Sequence, residues 1–134
     1  MPEPPAVLIA EDERSLRMLI RAALAGMAVR MLEASTGTEA LALARSEDPA
    51  LVLLDVGMTG IDGYSVCRSL KEEPRTAHIK VVMLTARAQR RDRDRGLAAG
   101  ADGYITKPFS PTVLRAMVGQ LLAQIASRAE PSSA

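Results

Sequence analysis

Tryptophan is absent from this sequence, and phenylalanine, histidine and cysteine occur once each. With Tyr64 and Tyr104 as the only other aromatics, there are too few rings for a platform on which nucleic-acid bases would stack. The lone Cys67 has no partner within the chain for a disulfide, and among helix-forming residues it reads as a buried or half-buried reduced thiol. Long apolar runs are also missing. None approaches the roughly 20 residues that a membrane-spanning helix needs, so no membrane partner is expected. Met1-Pro2-Glu3-Pro4-Pro5 lacks the basic and apolar segments of a secretory signal, which leads to the expectation of a cytoplasmic protein. An excess of one charge is lacking too: 17 basic and 16 acidic residues leave a formal net charge of +1, no general reason to bind nucleic acid. The densest basic run, Arg87, Arg90, Arg91, Arg93 and Arg95, is interleaved with Asp92 and Asp94 and reads as a solvated helix face.

What the 134 residues do contain, 48% of them hydrophobic and 25% charged, is enough for one well-filled core and too little for two ordinary domains. The apolar stretches Val7-Leu8-Ile9-Ala10, Leu51-Val52-Leu53-Leu54 and Val81-Val82-Met83-Leu84 each end in polar residues and predict buried parallel strands. Residues 29–33 and 103–106 mix polar with apolar positions, as edge strands do. Between the strands lie helical patterns. Leu16, Leu19, Ile20, Ala23 and Leu24 form an apolar stripe with Arg14, Arg17 and Arg21 on the opposite face. Thr36-Gly37-Thr38-Glu39 has the form of a capping box, and Asp62 is a cap for a helix carrying Val66 and Leu70. A fourth helix is expected over residues 88–99, closed by Gly100. The last opens at Ser110-Pro111 and carries Leu114, Met117, Val118, Leu121, Leu122 and Ile125 on one stripe. Strict alternation of strand and helix predicts an α/β fold, a five-stranded parallel sheet doubly wound in the order 2-1-3-4-5 (flavodoxin-like) with helices on both faces. One domain is expected over residues 1–125, with a tail over 126–134.

The informative residues stand just after the carboxyl end of each strand: Glu11 and Asp12 after the first, Asp55 after the third, Thr85 after the fourth and Lys107 after the fifth. In an open parallel sheet these ends face one crevice. Three carboxylates gathered there repel one another and are at ease around a bound cation; all-oxygen ligands without histidine or cysteine suggest Mg²⁺ rather than zinc. A carboxylate can also be a nucleophile that forms an aspartyl phosphate. Phosphoryl transfer needs positioning and charge neutralisation, which a divalent ion, an ammonium group and the Thr85 hydroxyl would supply. Taken singly, each residue has an ordinary reading: an aspartate after a strand is commonly a turn or cap residue, and a lysine is commonly solvated. Only the joint placement carries weight. His78, in the loop before the fourth strand, reads as a surface residue.

Glu11-Asp12, Leu53-Leu54-Asp55-Val56-Gly57-Met58-Thr59-Gly60-Ile61-Asp62-Gly63, Thr85-Ala86, and Gly100-Ala101-Asp102-Gly103-Tyr104-Ile105-Thr106-Lys107-Pro108-Phe109 together resemble the receiver domains of two-component response regulators. The resemblance spans residues 6–125. It implies that Asp55 is the phosphoacceptor, that Asp12 binds Mg²⁺ directly and Glu11 mostly through water, and that the Gly57 carbonyl is a further ligand. It also implies that Lys107 pairs with the phosphoryl group, that Lys107-Pro108 is a cis peptide, and that Tyr104 is the aromatic switch residue coupled to Thr85. Three positions depart from the pattern. Thr59 stands where proline is common, Gly57 offers no side chain beside the phosphorylation site, and Arg87 could reach over that site instead. Glu11 in place of the commoner aspartate leaves metal binding intact.

The function implied is a signalling switch that takes its phosphoryl group from a histidine kinase or a histidine phosphotransfer protein and alters binding of a partner protein through a face spanning residues 88–125. With no output domain after it, the chain would be a stand-alone regulator or relay intermediate, regulatory rather than enzymatic. Two alternatives remain open: a degenerate receiver that binds partners without phosphorylation, and an aspartyl-phosphate phosphohydrolase. The latter class usually carries a second aspartate where Gly57 stands here.

Overall fold

The computed structural model describes residues 3–58, 60–86 and 90–129. Strands and helices alternate five times: β1 (Ala6–Ala10), α1 (Arg14–Leu24), β2 (Arg30–Ala34), α2 (Gly37–Glu47), β3 (Leu51–Asp55), α3 (Gly63–Glu72), β4 (Lys80–Thr85), α4 (Arg90–Ala98), β5 (Gly103–Thr106) and α5 (Pro111–Ala129). All strand pairings are parallel and the order is β2-β1-β3-β4-β5, as the alternation predicted. Among the described residues no helix is long and apolar enough to cross a membrane.

The apolar strands are buried on both faces because successive side chains point to opposite sides. Leu8, Ala10, Val52, Leu54, Val81 and Met83 face α2 and α3 and meet Ala40, Leu41, Val66, Cys67 and Leu70. Val7, Ile9, Leu51, Leu53, Val82 and Leu84 face the other way and meet Ile20 and Leu24 of α1 and Leu114 and Val118 of α5. Each four-residue apolar stretch therefore feeds two cores, which is why none of the three alternates polar with apolar.

Local chemistry sets the helix ends. Thr36 caps α2, its side chain accepting from the Glu39 N–H at 3.1 Å, and Asp62 caps α3 by accepting from the Ser65 N–H at 2.9 Å. Ser110 accepts from the Thr112 N–H at 3.2 Å ahead of Pro111. Gly100, at φ +95°, closes α4 in a Schellman motif: the Ala101 N–H donates to the Gly96 carbonyl and the Gly100 N–H to that of Leu97.

The structure corrects several expectations. Leu19 is 42% exposed and not part of the α1 core stripe. At about 100° per residue it lies a quarter turn from Ile20, beyond the strip that Leu16, Ala23 and Leu24 cover. Arg17, expected on the solvent face, is only 19% exposed in its side chain. Strand β2 begins one residue late, because the Val29 N–H is taken by the Met27 carbonyl in the preceding turn. Helix α5 runs on through residues 126–129, which were expected in the tail. Thr59, Arg87 and residues 88, 89 and 130–134 lie outside the described residues, as do the side chains of Arg90, Arg91 and Arg93. His78 is a surface residue as expected, paired with Asp48 at 2.8 Å.

Candidate functional site

Strand register brings the site together at the carboxyl edge of the sheet. Ala10 lies opposite Leu54, so Glu11 and Asp55 emerge at the same level of adjacent strands. Asp55 lies opposite Leu84, which sets Thr85 one step further along, and Thr85 lies opposite Thr106, which sets Lys107 one step beyond that. Residues distant in sequence thereby line one cleft of about 480 Å³, which includes Glu11, Asp12, Asp55, Gly57, Thr85 and Lys107. The peptide before Pro108 is cis, as the resemblance implied.

The charges are closely interlocked. Lys107 Nζ donates to Glu11 Oε1 and to Asp55 Oδ1, each at 3.0 Å. The Gly57 N–H donates to Asp55 Oδ1 at 3.0 Å, and the Glu13 N–H to Glu11 Oε2 at 3.2 Å. Glu11 and Asp55 are almost wholly buried, whereas Asp12 is exposed. Burial, reinforced by the nearness of Asp55, pushes the Glu11 carboxyl up to about 7. Burial works against the charge on Lys107, but its hydrogen bonds to Asp55 and Glu11 outweigh this and raise its pKa above the ordinary value. Lys107 is therefore an ammonium ion at neutral pH. Carboxylate oxygens of Glu11, Asp12 and Asp55 lie within 4.8 Å of one another. That donor set suits a hard divalent cation, which would compete with a proton for Glu11.

Residues that the sequence did not single out for the site also line the cleft, Tyr64 and Arg95 among them. Tyr64 from α3 is buried in its wall, and the Arg95 guanidinium lies 4.2 Å from the centre of its ring. Arg95 belongs to the run expected to be a solvated face. It is exposed, as that run was expected to be, yet it lines the cleft through its contact with Tyr64, which the charge pattern of the run does not reveal.

Beside the cleft, Thr85, Met83, Leu97 and Tyr104 are among the residues around a small apolar cavity of about 30 Å³. Tyr104 also borders an outer groove with Phe109, Val113 and Met117. The half-buried ring thus stands between an inner and an outer space.

Comparisons with known proteins bear on this arrangement. The sequence matches the response regulator receiver domain family over residues 7–119. It is 41% identical over 116 residues to a protein of Porphyra purpurea named "Probable transcriptional regulator ycf27", covering 87% of this chain and 46% of that one. It is likewise 41% identical over 115 residues to the response regulator PleD of Caulobacter vibrioides, covering 86% of this chain and 25% of PleD. The chain thus spans about half or less of those relatives. A crystal structure of the receiver domain of a signal transduction histidine kinase from Syntrophus aciditrophicus superposes with a TM-score of 0.85 at 32% identity, covering 97% of each chain. With the strand order, the edge constellation and the family match in agreement, this chain belongs to the receiver domains of two-component response regulators.

Proposed function

We propose that the chain works as a phosphorylation-dependent switch, accepting a phosphoryl group on Asp55 from a histidine kinase or a histidine phosphotransfer protein. The observation that carries this reading is the meeting of Asp55 with Glu11, Asp12 and Lys107 at one edge of the sheet. Glu11, Asp12, Asp55 and the Gly57 carbonyl would hold Mg²⁺. When bound, the ion neutralises the carboxylates and the oxygens of the incoming phosphoryl group.

In the transfer itself an Asp55 oxygen attacks phosphorus in line, the P–N bond of the phosphohistidine breaks, and the imidazole departs with its electron pair and takes up a proton. Lys107 and the Gly57 N–H already fix the Asp55 carboxylate, so little orientation remains to be lost in the transition state. After transfer, Lys107 turns its charge to a phosphoryl oxygen and the Thr85 hydroxyl donates to another.

That last bond is the switch. A charge-assisted hydrogen bond contributes about 1.5–3 kcal/mol, enough to shift two conformations by roughly 10- to 150-fold. The cavity beside Thr85, about 30 Å³, has room for no more than a water or two and cannot take a tyrosine ring. Withdrawal of Thr85 toward the phosphoryl group enlarges it, and Tyr104 follows inward from the outer groove. The surface so altered, α4, β5 and α5 within residues 88–125, is the partner face in this reading.

Incubation with acetyl phosphate and Mg²⁺, followed by intact mass, tests the proposal. Wild type should gain one phosphoryl group and Asp55→Asn none. An unchanged wild-type mass would remove the phosphoacceptor reading, and equal labelling of the variant would move it to another residue.

A further inference from the structure

Glu11 and Asp12 sit in the turn between β1 and α1, and the loop sequence alone does not determine where their carboxylates point. A fixture comes from α1. Arg17 Nη1 donates to the main-chain carbonyl of Glu11 at 2.8 Å and to that of Asp12 at 3.2 Å. Its Nε faces Glu33 Oε1 of β2 at 3.4 Å, and Arg21 Nη1 meets the other Glu33 oxygen at 3.0 Å. A planar guanidinium with five donors can hold two carbonyls and a carboxylate at once. Helix stability does not account for the residue. The first turn of α1 has no acidic residue and its N-cap Glu13 makes no side-chain capping bond, so a cation there opposes the helix dipole.

We infer that Arg17 is a positioning residue of the cation site, holding the backbone of Glu11 and Asp12 so that their carboxylates meet Asp55 before the ion arrives. The inference rests on the Mg²⁺ reading above. Two effects of removing Arg17 oppose each other: loss of a positive charge favours a second cation, and loss of the clamp frees two of the ligating residues. The first acts only through space, where water and salt screen it. The second acts directly on the ligands, and outer partners of metal ligands are typically worth about 10- to 100-fold in metal affinity.

The test is Mg²⁺ titration of wild type, Arg17→Ala, Arg17→Lys and Arg21→Ala, read by calorimetry, with amide hydrogen exchange of each metal-free protein measured alongside. Arg17→Ala should bind Mg²⁺ about 10-fold or more weakly. Arg17→Lys should recover part of the loss. Arg21→Ala, which gives up the same Glu33 but leaves both carbonyls held, should match wild type. In metal-free Arg17→Ala the Glu13 amide, which donates to Glu11 Oε2, should exchange faster while those of α3 and α5 keep their protection. A folded Arg17→Ala with wild-type affinity overturns the inference, and so does an equal loss in Arg21→Ala. Should Arg17→Ala fail to fold, wild-type affinity in Arg17→Lys overturns it, and weakened affinity with local exchange at Glu13 supports it. A wild type that does not bind Mg²⁺ is a different failure, which removes the metal reading together with the inference.

Discussion

Lys107 holds Glu11 and Asp55 together from a position 96 residues away from the first and 52 from the second. Replacing it by alanine leaves two buried carboxylates facing each other. Metal-free Lys107→Ala should be destabilised by roughly 2 kcal/mol, the range for hydrogen bonds to charged groups, and its stabilisation by Mg²⁺ should exceed that of wild type, as paired thermal unfolding would register. A smaller Mg²⁺ response than in wild type would contradict this electrostatic account. Cys67 presents the opposite case, a group with no part in the site. Its Sγ donates to the Ala99 carbonyl at 3.4 Å, and burial pushes the thiol up to about 11. The native protein should therefore resist thiol reagents at pH 8, with labelling that tracks unfolding. Since the folded state keeps this proton where the unfolded chain, at about 9, has released it, Cys67 lowers stability as pH rises from 9 to 11. Immediate labelling of native protein would contradict the burial. Residues at strand ends were legible in the sequence because a four-residue apolar run points to its own terminus. Arg17 was not: it lies about 60° round the helix from Ile20, on the flank of the stripe, where solvent and protein are equally near.

Elements were legible where two independent signals agreed. Helix α3 had both a capping aspartate and the pair Val66 and Leu70, and all three do as the spacing required. Strand β2, with only Ala34 of its five residues buried, had only a weak pattern, and its start shifted by one residue. The close approach at the start of α3 was hidden altogether. A Cβ on Gly63 would stand 2.8 Å from the Asp55 carbonyl oxygen and 2.8 Å from Val56 Cα, both main-chain atoms that cannot step aside singly. Gly63→Ala should therefore displace the end of β3, with a cost of roughly 1–3 kcal/mol from overpacking. Denaturant unfolding measures that cost, and slower labelling by acetyl phosphate should accompany it because Asp55 moves. A variant as stable and as fast as wild type would show that the backbone relaxes without moving Asp55. Gly60, with φ +87° and nothing within 4 Å of a Cβ, is constrained by its backbone alone, so the two glycines of one loop serve for different reasons.

At the scale of the whole molecule, parallel order converts strand ends scattered over about a hundred residues into one cleft, and this was legible because the alternation admits few topologies. The depth of burial was not legible. Sequence spacing alone does not distinguish Glu11, 1% exposed and with its carboxyl pushed up by burial, from the exposed Asp12 beside it. A cation that relieved this crowding would stabilise the entire fold. If the site takes Mg²⁺ as proposed, the ion at about 100 times its dissociation constant should contribute roughly 2.7 kcal/mol, or about 10 °C in the melting midpoint for a chain of this size. Asp12→Ala should lose most of that rise, and a wild-type midpoint indifferent to millimolar Mg²⁺ would remove the metal assignment. The central claim, a phosphoryl group carried by Asp55, is tested most directly by reductive trapping. Borohydride converts an aspartyl phosphate to homoserine, which peptide mass spectrometry locates in the chain. The account predicts homoserine at position 55, formed only when Mg²⁺ and acetyl phosphate are both present; homoserine at any other position, or an intact Asp55 in protein that has gained the phosphoryl mass, would contradict it.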